Sequence, residues 1–514
     1  MYIQPQTNIR ILRNVPLDTS YEHTLYFESA SAQASYFISK QKYNLTGYTY
    51  QRVQRGTSRI GIKADSLYDC NYIMFQNTAY GSKWFYAFIT SVEFVNNDCA
   101  EISFEIDVMQ TWFFDYQLEH CFVEREHSVF DVIGAHIEPE PVEVGEYVFN
   151  DYKDISSVLN PMCVIVMVGD EDKAPSGTLY DGVYGGCTLH AYNVTDTDSI
   201  KKLLNTYAQK TDAIVGMYMC PVLATGEAIP TGGLTVKYTA NAYTVTGSAD
   251  ILSADMNIDT YKPKNKKLYT YPYNFYSIGN GSSALNLRYE FFTGLQPSWK
   301  ITIPITMPIE CVLRPTHYKG SGDKTYNNET IALSNYPMCS WSTDAFKAWL
   351  AQNAIPIATN LLFDAGSLAG SAFTGNPYAG MQAGQSAFNH ISSAVSDGYR
   401  ASIKADIVKG TQNHGNNNVA SGKQSFYGGR CSVTQEYARM IDDYFTMYGY
   451  ATKRLKVPNT HSRPHWNFVK TSGCNVVGSV PADDMKKICG IYDNGITFWK
   501  NGDEVGNYSL DNSM

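Results

Sequence analysis

The sequence lacks the marks of several common functional classes. It has no surplus of basic residues: 40 Lys and Arg stand against 49 Asp and Glu, a net charge of −9. Neutralisation of a phosphate backbone, which dominates non-specific nucleic-acid affinity, therefore has no cationic excess to draw on. DNA that meets this chain is expected to slide past it. The eleven cysteines contain no Cys-x-x-Cys pair and no ligand-like Cys/His spacing, so no metal site is expected. They read as free thiols buried as small apolar side chains in a protein made in a reducing cytosol. The N-terminus, Met1-Tyr2-Ile3-Gln4-Pro5, has neither a basic segment nor the apolar core of about 7 to 15 residues that makes a signal peptide, and export by the general secretory route is not expected. No GxSxG, HExxH, Walker-type or Rossmann pattern occurs, so no catalytic or cofactor-binding residue is assigned. Two suggestive histidine settings, Glu124-Arg125-Glu126-His127 and His461-x-x-x-His465, read as ordinary surface histidines, since Pro464 breaks any helix between the second pair.

What the sequence does carry is aromatic and strand-forming. Tyr (39) and Phe (23) are abundant and charged residues make up only 17%, which suits half-buried pleated surfaces. The 514 residues allow two to four domains of roughly 100 to 200 residues each. In residues 101–108, Ile102, Phe104, Ile106 and Val108 alternate with polar residues, predicting a strand with one wet face in an antiparallel sheet. Residues 84–89 are apolar on both faces and predict a strand covered by a second layer or a neighbouring subunit. Further strands are predicted over residues 163–168, 234–245, 299–305 and 495–499, and a helix over 199–210. A second helix is expected to start at Ser432, whose Ser432-x-x-Gln435 pattern is a capping box. Its expected buried stripe is Tyr437, Met440, Ile441, Tyr444, Phe445 and Tyr448, and Gly449 ends it. The expected fold class is mainly β, in antiparallel sheets, with a few helices.

Charge then disappears. Across residues 348–396, 49 positions, Asp364 is the single formally charged side chain. Asn376-Pro377 divides the run into arms of 19 residues (357–375) and 18 residues (379–396), each close to the roughly 20 a helix needs to cross a bilayer. Ile357, Leu361, Leu362, Phe363, Leu368 and Phe373 make the first arm apolar; Met381, Phe388, Ile391 and Val395 share one side of the second. Gly366 and Gly370, then Gly380 and Gly384, are spaced four apart, the small-residue pattern that lets helix backbones approach closely. Gln382, Gln385, Asn389, Ser392 and Ser396 line the opposite side of the second arm. That suits the wall of a multi-subunit pore and disfavours insertion of one copy alone. The same composition also fits a Gly/Ala/Ser-rich flexible connector.

Longer stretches near both ends carry a resemblance. At the N-terminal end they are Asn8-Ile9-Arg10-Ile11-Leu12, Tyr72-Ile73-Met74-Phe75-Gln76-Asn77, Lys83-Trp84-Phe85-Tyr86-Ala87-Phe88, Phe104-Glu105-Ile106-Asp107-Val108-Met109-Gln110-Thr111-Trp112 and Val123-Glu124-Arg125-Glu126-His127. At the C-terminal end they are Tyr448-Gly449-Tyr450, Asp493-Asn494-Gly495-Ile496-Thr497-Phe498-Trp499 and Gly506-Asn507-Tyr508. In order and position these resemble the distal tail knob proteins of small, protein-primed, short-tailed (podovirus-type) bacteriophages of Gram-positive hosts. The resemblance implies a structural subunit of the tail tip, not an enzyme. It implies a homo-hexamer whose antiparallel sheets or barrels form a ring-shaped tube, beneath a tail tube or lower collar protein. Viral DNA would pass through without sequence recognition. A long hydrophobic loop near the C-terminal third would plug the lumen and, on infection, form a pore in the host cytoplasmic membrane for genome ejection. The location implied is the virion tail tip and, transiently, the host cell membrane.

Four parts are then expected: 1–125, a tube-forming β region; 126–345, inserted β domains; 346–425, the uncharged plug or membrane-active loop; and 426–514, a C-terminal helix and strands completing the tube. The run here is shorter, richer in Gly and Ser and more weakly apolar than the loop of that family. Two other classes compete: a tail receptor-binding or adhesin protein without membrane activity, using surface loops of the middle region, and a cell-wall-degrading enzyme built on a Cys/His dyad.

Overall fold

The computed structural model describes the chain except for residues 1–5, 49–55, 78–80 and 82, short stretches between 157 and 337, residues 341–406 and 410–425, and residue 514. The described residues are mainly antiparallel β structure with a few helices, the class the sequence predicts. They divide into two compact units, Met1–Gly145 with Thr260–Leu268 and Gln435–Met514, and Glu146–Asp259 with Tyr269–Thr434.

The first unit holds a six-stranded antiparallel sheet in the order Gln41–Tyr48, Thr7–Arg13, Cys70–Asn77, Trp84–Asn96, Cys99–Ile106, Thr57–Ile60. The alternation read from the sequence is visible in Cys99–Ile106, where Ile102, Phe104 and Ile106 are buried and Glu105 is exposed. This strand stops short of Val108 because Asp107 leaves it to cap the short helix Val108–Thr111, its carboxylate accepting the Gln110 backbone N–H at 3.1 Å. A five-stranded sheet joins the two ends of the chain: His23–Leu25 runs parallel to Ile496–Trp499, followed by Trp466–Ser472, Cys121–Glu126 and Tyr450–Lys456. Gln110 ties the layers, its side-chain amide donating to Thr24 Oγ1 and the Leu25 carbonyl, both at 2.9 Å. One apolar core contains Ile11, Tyr72 and Phe104 together with Trp466, Ile496 and Trp499.

The second unit is built of antiparallel sheets. A five-stranded one includes Tyr147–Phe149, Tyr427–Val433, Asn274–Gly279 and Ala284–Leu287. A four-stranded one is Tyr243–Ser248, Ser298–Ile303, Cys311–Thr316, Ile331–Leu333. A six-stranded one runs Leu234–Val236, Thr188–Asn193, Met162–Val168, Ile214–Pro221, Met338–Ser340, Ile407–Lys409. The single strand expected over 234–245 is therefore two strands, Leu234–Val236 and Tyr243–Ser248, in different sheets.

The second predicted helix is shifted. Ser432 is not its cap but a member of the strand Tyr427–Val433, where its hydroxyl accepts from Asn150 Nδ2 at 2.8 Å; the helix spans Gln435–Tyr448. Its buried residues are Ala438, Ile441, Asp442, Phe445 and Thr446, while Met440 is 58% exposed. A count of apolar positions misphases this helix because a carboxylate occupies a core position. Gly449 does end it: φ is +66°, and a Cβ there would lie 2.2 Å from the Glu126 carbonyl oxygen.

Candidate functional site: the sheet that carries the uncharged run

In the six-stranded sheet of the second unit, consecutive residues Ile165, Val166, Met167 and Val168 of the strand Met162–Val168 are all buried. Successive side chains of a strand point to opposite faces, so this strand is covered on both. It pairs with Thr188–Asn193 in continuous register on one side, and on the other with Ile214–Pro221, where the register shifts between Met167 and Val168. Beyond Ile214–Pro221 lies Met338–Ser340, with Gly216 opposite Ser340, and then the edge strand Ile407–Lys409.

In that last pair Ser340 faces Ile407 and Met338 faces Lys409. Residues 341–406, which contain the whole uncharged run, thus leave and rejoin the sheet at directly opposed positions. Pairing of the two strands itself closes this long loop, at an entropic cost that grows only slowly with loop length, and it sets no wide span that the connection must bridge. The predicted membrane-active residues Ile357, Leu361, Leu362, Phe363, Leu368, Phe373, Met381, Phe388, Ile391 and Val395 lie outside the described residues, as do Gly366, Gly370, Gly380 and Gly384. Among the described residues no helix is long and apolar enough to cross a membrane. Nothing local in the sequence marks residues 338–340 and 407–409 as partners.

The suggestive histidines belong to the first unit. His127 is buried, its Nδ1 accepting the Phe468 backbone N–H at 2.7 Å and its Nε2 standing 3.0 Å from the Thr446 carbonyl. This pairing requires the neutral ring with the proton on Nε2, and burial, with Arg463 beside it, holds the pKa down at about 3. His465 Nδ1 lies 2.8 Å from Glu504, and His461 stacks on Tyr26 with ring centroids 4.9 Å apart. Among the described residues no three His, Cys, Asp or Glu side chains converge as a metal site would need.

Around His127 lies a buried ionic web that no local motif announces. Glu140 accepts from both Arg125 and Lys267, and also from the Ala451 backbone N–H at 2.8 Å. Asp442 accepts from the Tyr261 hydroxyl at 2.7 Å, the Lys264 N–H at 2.7 Å and the Asn265 N–H at 3.0 Å. Asp131 takes the Lys266 N–H at 3.0 Å and the Tyr450 hydroxyl at 2.8 Å. Three carboxylates thus pin the nine-residue segment Thr260–Leu268 into the first unit. Burial lowers the Lys267 pKa against the opposing pull of Glu140, and raises that of Asp442. Apart from Asp131 Oδ1, which is buried without a hydrogen-bond partner, these carboxylate groups find donors within the web, an arrangement that fixes geometry. Thiols fare likewise: burial pushes Cys70 and Cys431 up to about 11, away from the range of reactive cysteines.

An antiparallel β chain with its two ends in one core and a long uncharged segment hung from a sheet edge is in keeping with phage tail proteins. A family model described as the Caudoviral major tail protein N-terminus matches residues 5–117. More specifically, the chain belongs to the tail knob family of Bacillus phage phi29: the model described as "Tail knob protein gp9, C-terminal domain" matches residues 237–513, more than half of the chain. It is 26% identical to the tail knob proteins gp9 of Bacillus phages PZA and phi29, over 99% of this chain and 98% of each of those proteins. Its fold is similar to that of the bacteriophage C1 tail knob protein gp12, with a TM-score of 0.60 at 13% identity, over 98% of this chain and 99% of that one. The chain is accordingly a structural protein of the virion tail.

Proposed function

We propose that this chain is a subunit of the distal tail tip that closes the tail lumen with its uncharged segment and, on infection, releases that segment into the host cytoplasmic membrane as a pore for genome ejection. In this reading residues 1–125 and 426–514 form the wall of a homo-hexameric tube and residues 126–345 inserted β domains. Residues 346–425 carry the plug, with Ile407–Lys409 as its return root in the sheet. A tail tube or lower collar protein sits above it, and viral DNA passes without sequence recognition, in keeping with a net charge of −9. The role is structural and not enzymatic, which the raised thiol pKa values and the neutral, doubly bonded His127 support.

The observation that carries the reading is the opposed pair Ser340 and Ile407. It roots both ends of the segment that contains the uncharged run at one place on a sheet whose strand Met162–Val168 is buried on both faces, so the segment can extend without disturbing the sheet. Six weakly amphipathic hairpins together can turn their polar sides to water, which one copy in lipid cannot do. The experiment is dye release from liposomes by the purified protein. The comparison is a version in which residues 355–400 are replaced by a short Gly/Ser connector, both root strands being kept. Leakage from the full chain alone supports a membrane-active plug; equal leakage, or none from either, rules it out.

A second reading, receptor binding, draws on exposed aromatic residues of the second unit. Tyr147, Phe149 and Tyr152 are 43%, 53% and 53% exposed, and Tyr152 stacks on Tyr427 at 5.8 Å. Aromatic rings so exposed are common at recognition surfaces. Sedimentation with purified host cell wall, lost on Phe149→Ala with Tyr152→Ala, would favour it.

A further inference from the structure

Two thiols meet at the centre of the sheet that carries the uncharged run. Cys163, in Met162–Val168, is the direct cross-strand partner of Cys220, in Ile214–Pro221. Their sulfurs are 3.2 Å apart, and both residues are fully buried. Opposed residues of an antiparallel pair have Cα atoms about 4.5 to 5.5 Å apart, inside the window of about 4.4 to 6.8 Å that a disulfide requires. A bond of about 2.05 Å therefore needs side-chain adjustment and no shift of the strands.

We propose that Cys163 and Cys220 are a modification site: a cross-strand disulfide, closed by a peroxide-class oxidant, that staples the two middle strands of this sheet. In the balanced step one thiol sulfur is oxidised by hydrogen peroxide to a sulfenic acid, releasing water. The second thiol then attacks that sulfur, forming the S–S bond and releasing a second water; overall two thiols and one peroxide give one disulfide and two waters. Burial pushes the Cys220 thiol well above its usual pKa, so this thiol is a poor nucleophile while the sheet is closed. Closure of the bond waits on local opening of the strand pair, and the same burial then shields the bond from reductants. The staple joins strands 57 residues apart in the chain, a loop long enough to restrict the unfolded chain appreciably. Ile214–Pro221 in turn holds Met338–Ser340, one root of the segment 341–406. The inference does not depend on pore formation.

The test uses the purified full-length chain, incubated with hydrogen peroxide or with dithiothreitol, alkylated, digested without reduction and mapped by mass spectrometry. The expected result is a linked Cys163–Cys220 peptide as the main disulfide, 2 Da lighter than the two free peptides together. It should form faster in mild denaturant, and the unfolding temperature should rise by several degrees. Cys163→Ala and Cys220→Ala should each abolish that rise relative to their own reduced forms, whereas Cys311→Ala should keep it. Recovery of both cysteines as free, alkylated thiols after oxidation under mild denaturant would overturn the proposal. So would a linked peptide with no thermal gain, which would make the bond an accident of handling and not a staple.

Discussion

The two units bury different chemistry. Among the described residues, every charged residue that is buried whole, Asp107, Arg125, Glu126, Lys267, Asp442 and Arg463, belongs to the first unit, as does Glu140 with its fully buried side chain, whereas the second buries neutral polar side chains such as Ser156, Thr270, Asn274 and Ser432. Buried ions are tolerated only when partners stand in fixed places, so they make a fold particular at some cost in stability. The first unit is in this sense specified by its web of carboxylates. The second relies on apolar strands and, at its middle, on a pair of thiols. One unit should therefore respond to pH and to loss of single charges, the other to cavities and oxidation.

The sharpest way to break this comparison is to remove Glu140, whose side chain is fully buried between Arg125 and Lys267. Glu140→Ala leaves two cations without a counter-charge and should cost about 3 to 5 kcal/mol, read by chemical denaturation. A cost below about 1 kcal/mol would mean that water already reaches the pair. In the second unit Ile165→Ala, at a fully buried position, should cost about 2 to 4 kcal/mol through the cavity it leaves, and that cost should not vary between pH 5 and 8. A strongly pH-dependent loss would contradict the contrast between the units.

Two groups of the first unit should titrate in opposite senses. Burial pushes Asp107 up to about 6, although the Tyr72 hydroxyl donates to it at 2.7 Å. The folded chain thus holds this proton more tightly than the unfolded chain, so the contribution is present below about pH 4 and is lost as pH rises through about 6. His127, held at about 3, contributes above its ordinary value of 6.5 and loses that contribution as pH falls. Subtracting the stability of Asp107→Asn from that of the parent should leave a difference that shrinks by on the order of 2 to 3 kcal/mol from pH 4 to 6.5. The corresponding difference for His127→Gln should grow over the same span. A flat curve for either variant would show that its group is hydrated. The smallest effect is expected at the edge strand Tyr450–Lys456, where Leu455 is 75% exposed and Phe122 lies directly opposite. Leu455→Ser should change unfolding by about 0.5 kcal/mol or less; a larger loss would place this pair in an interface within the sample.

Much of the strand pattern was legible because each strand declares its faces locally. Ile102, Phe104 and Ile106 announce their side by alternation, and residues 163–168 announce burial on both faces by having no polar partner positions. The helix Gln435–Tyr448 buries Ile441 and Phe445 of its expected stripe but turns Asp442 inward, where Tyr261, Lys264 and Asn265 bind it, because a carboxylate in a core position is invisible to a count of apolar residues. Ser432 looked like a cap because capping chemistry and strand residence are written with the same residue.

By itself the sequence determined the mainly β character, the faces of its clearest strands, the chargeless segment and, through its two ends, the tail knob family. Those are properties of composition, of period-two alternation and of ordered local stretches. Only the tertiary structure decided which strands are partners: that Ser340 faces Ile407 across the uncharged run, that Cys163 faces Cys220, and that Thr260–Leu268 returns to the first unit. The physical reason is that a strand's own pattern states which side is buried, whereas its partner and register are chosen by packing with residues far away in the chain.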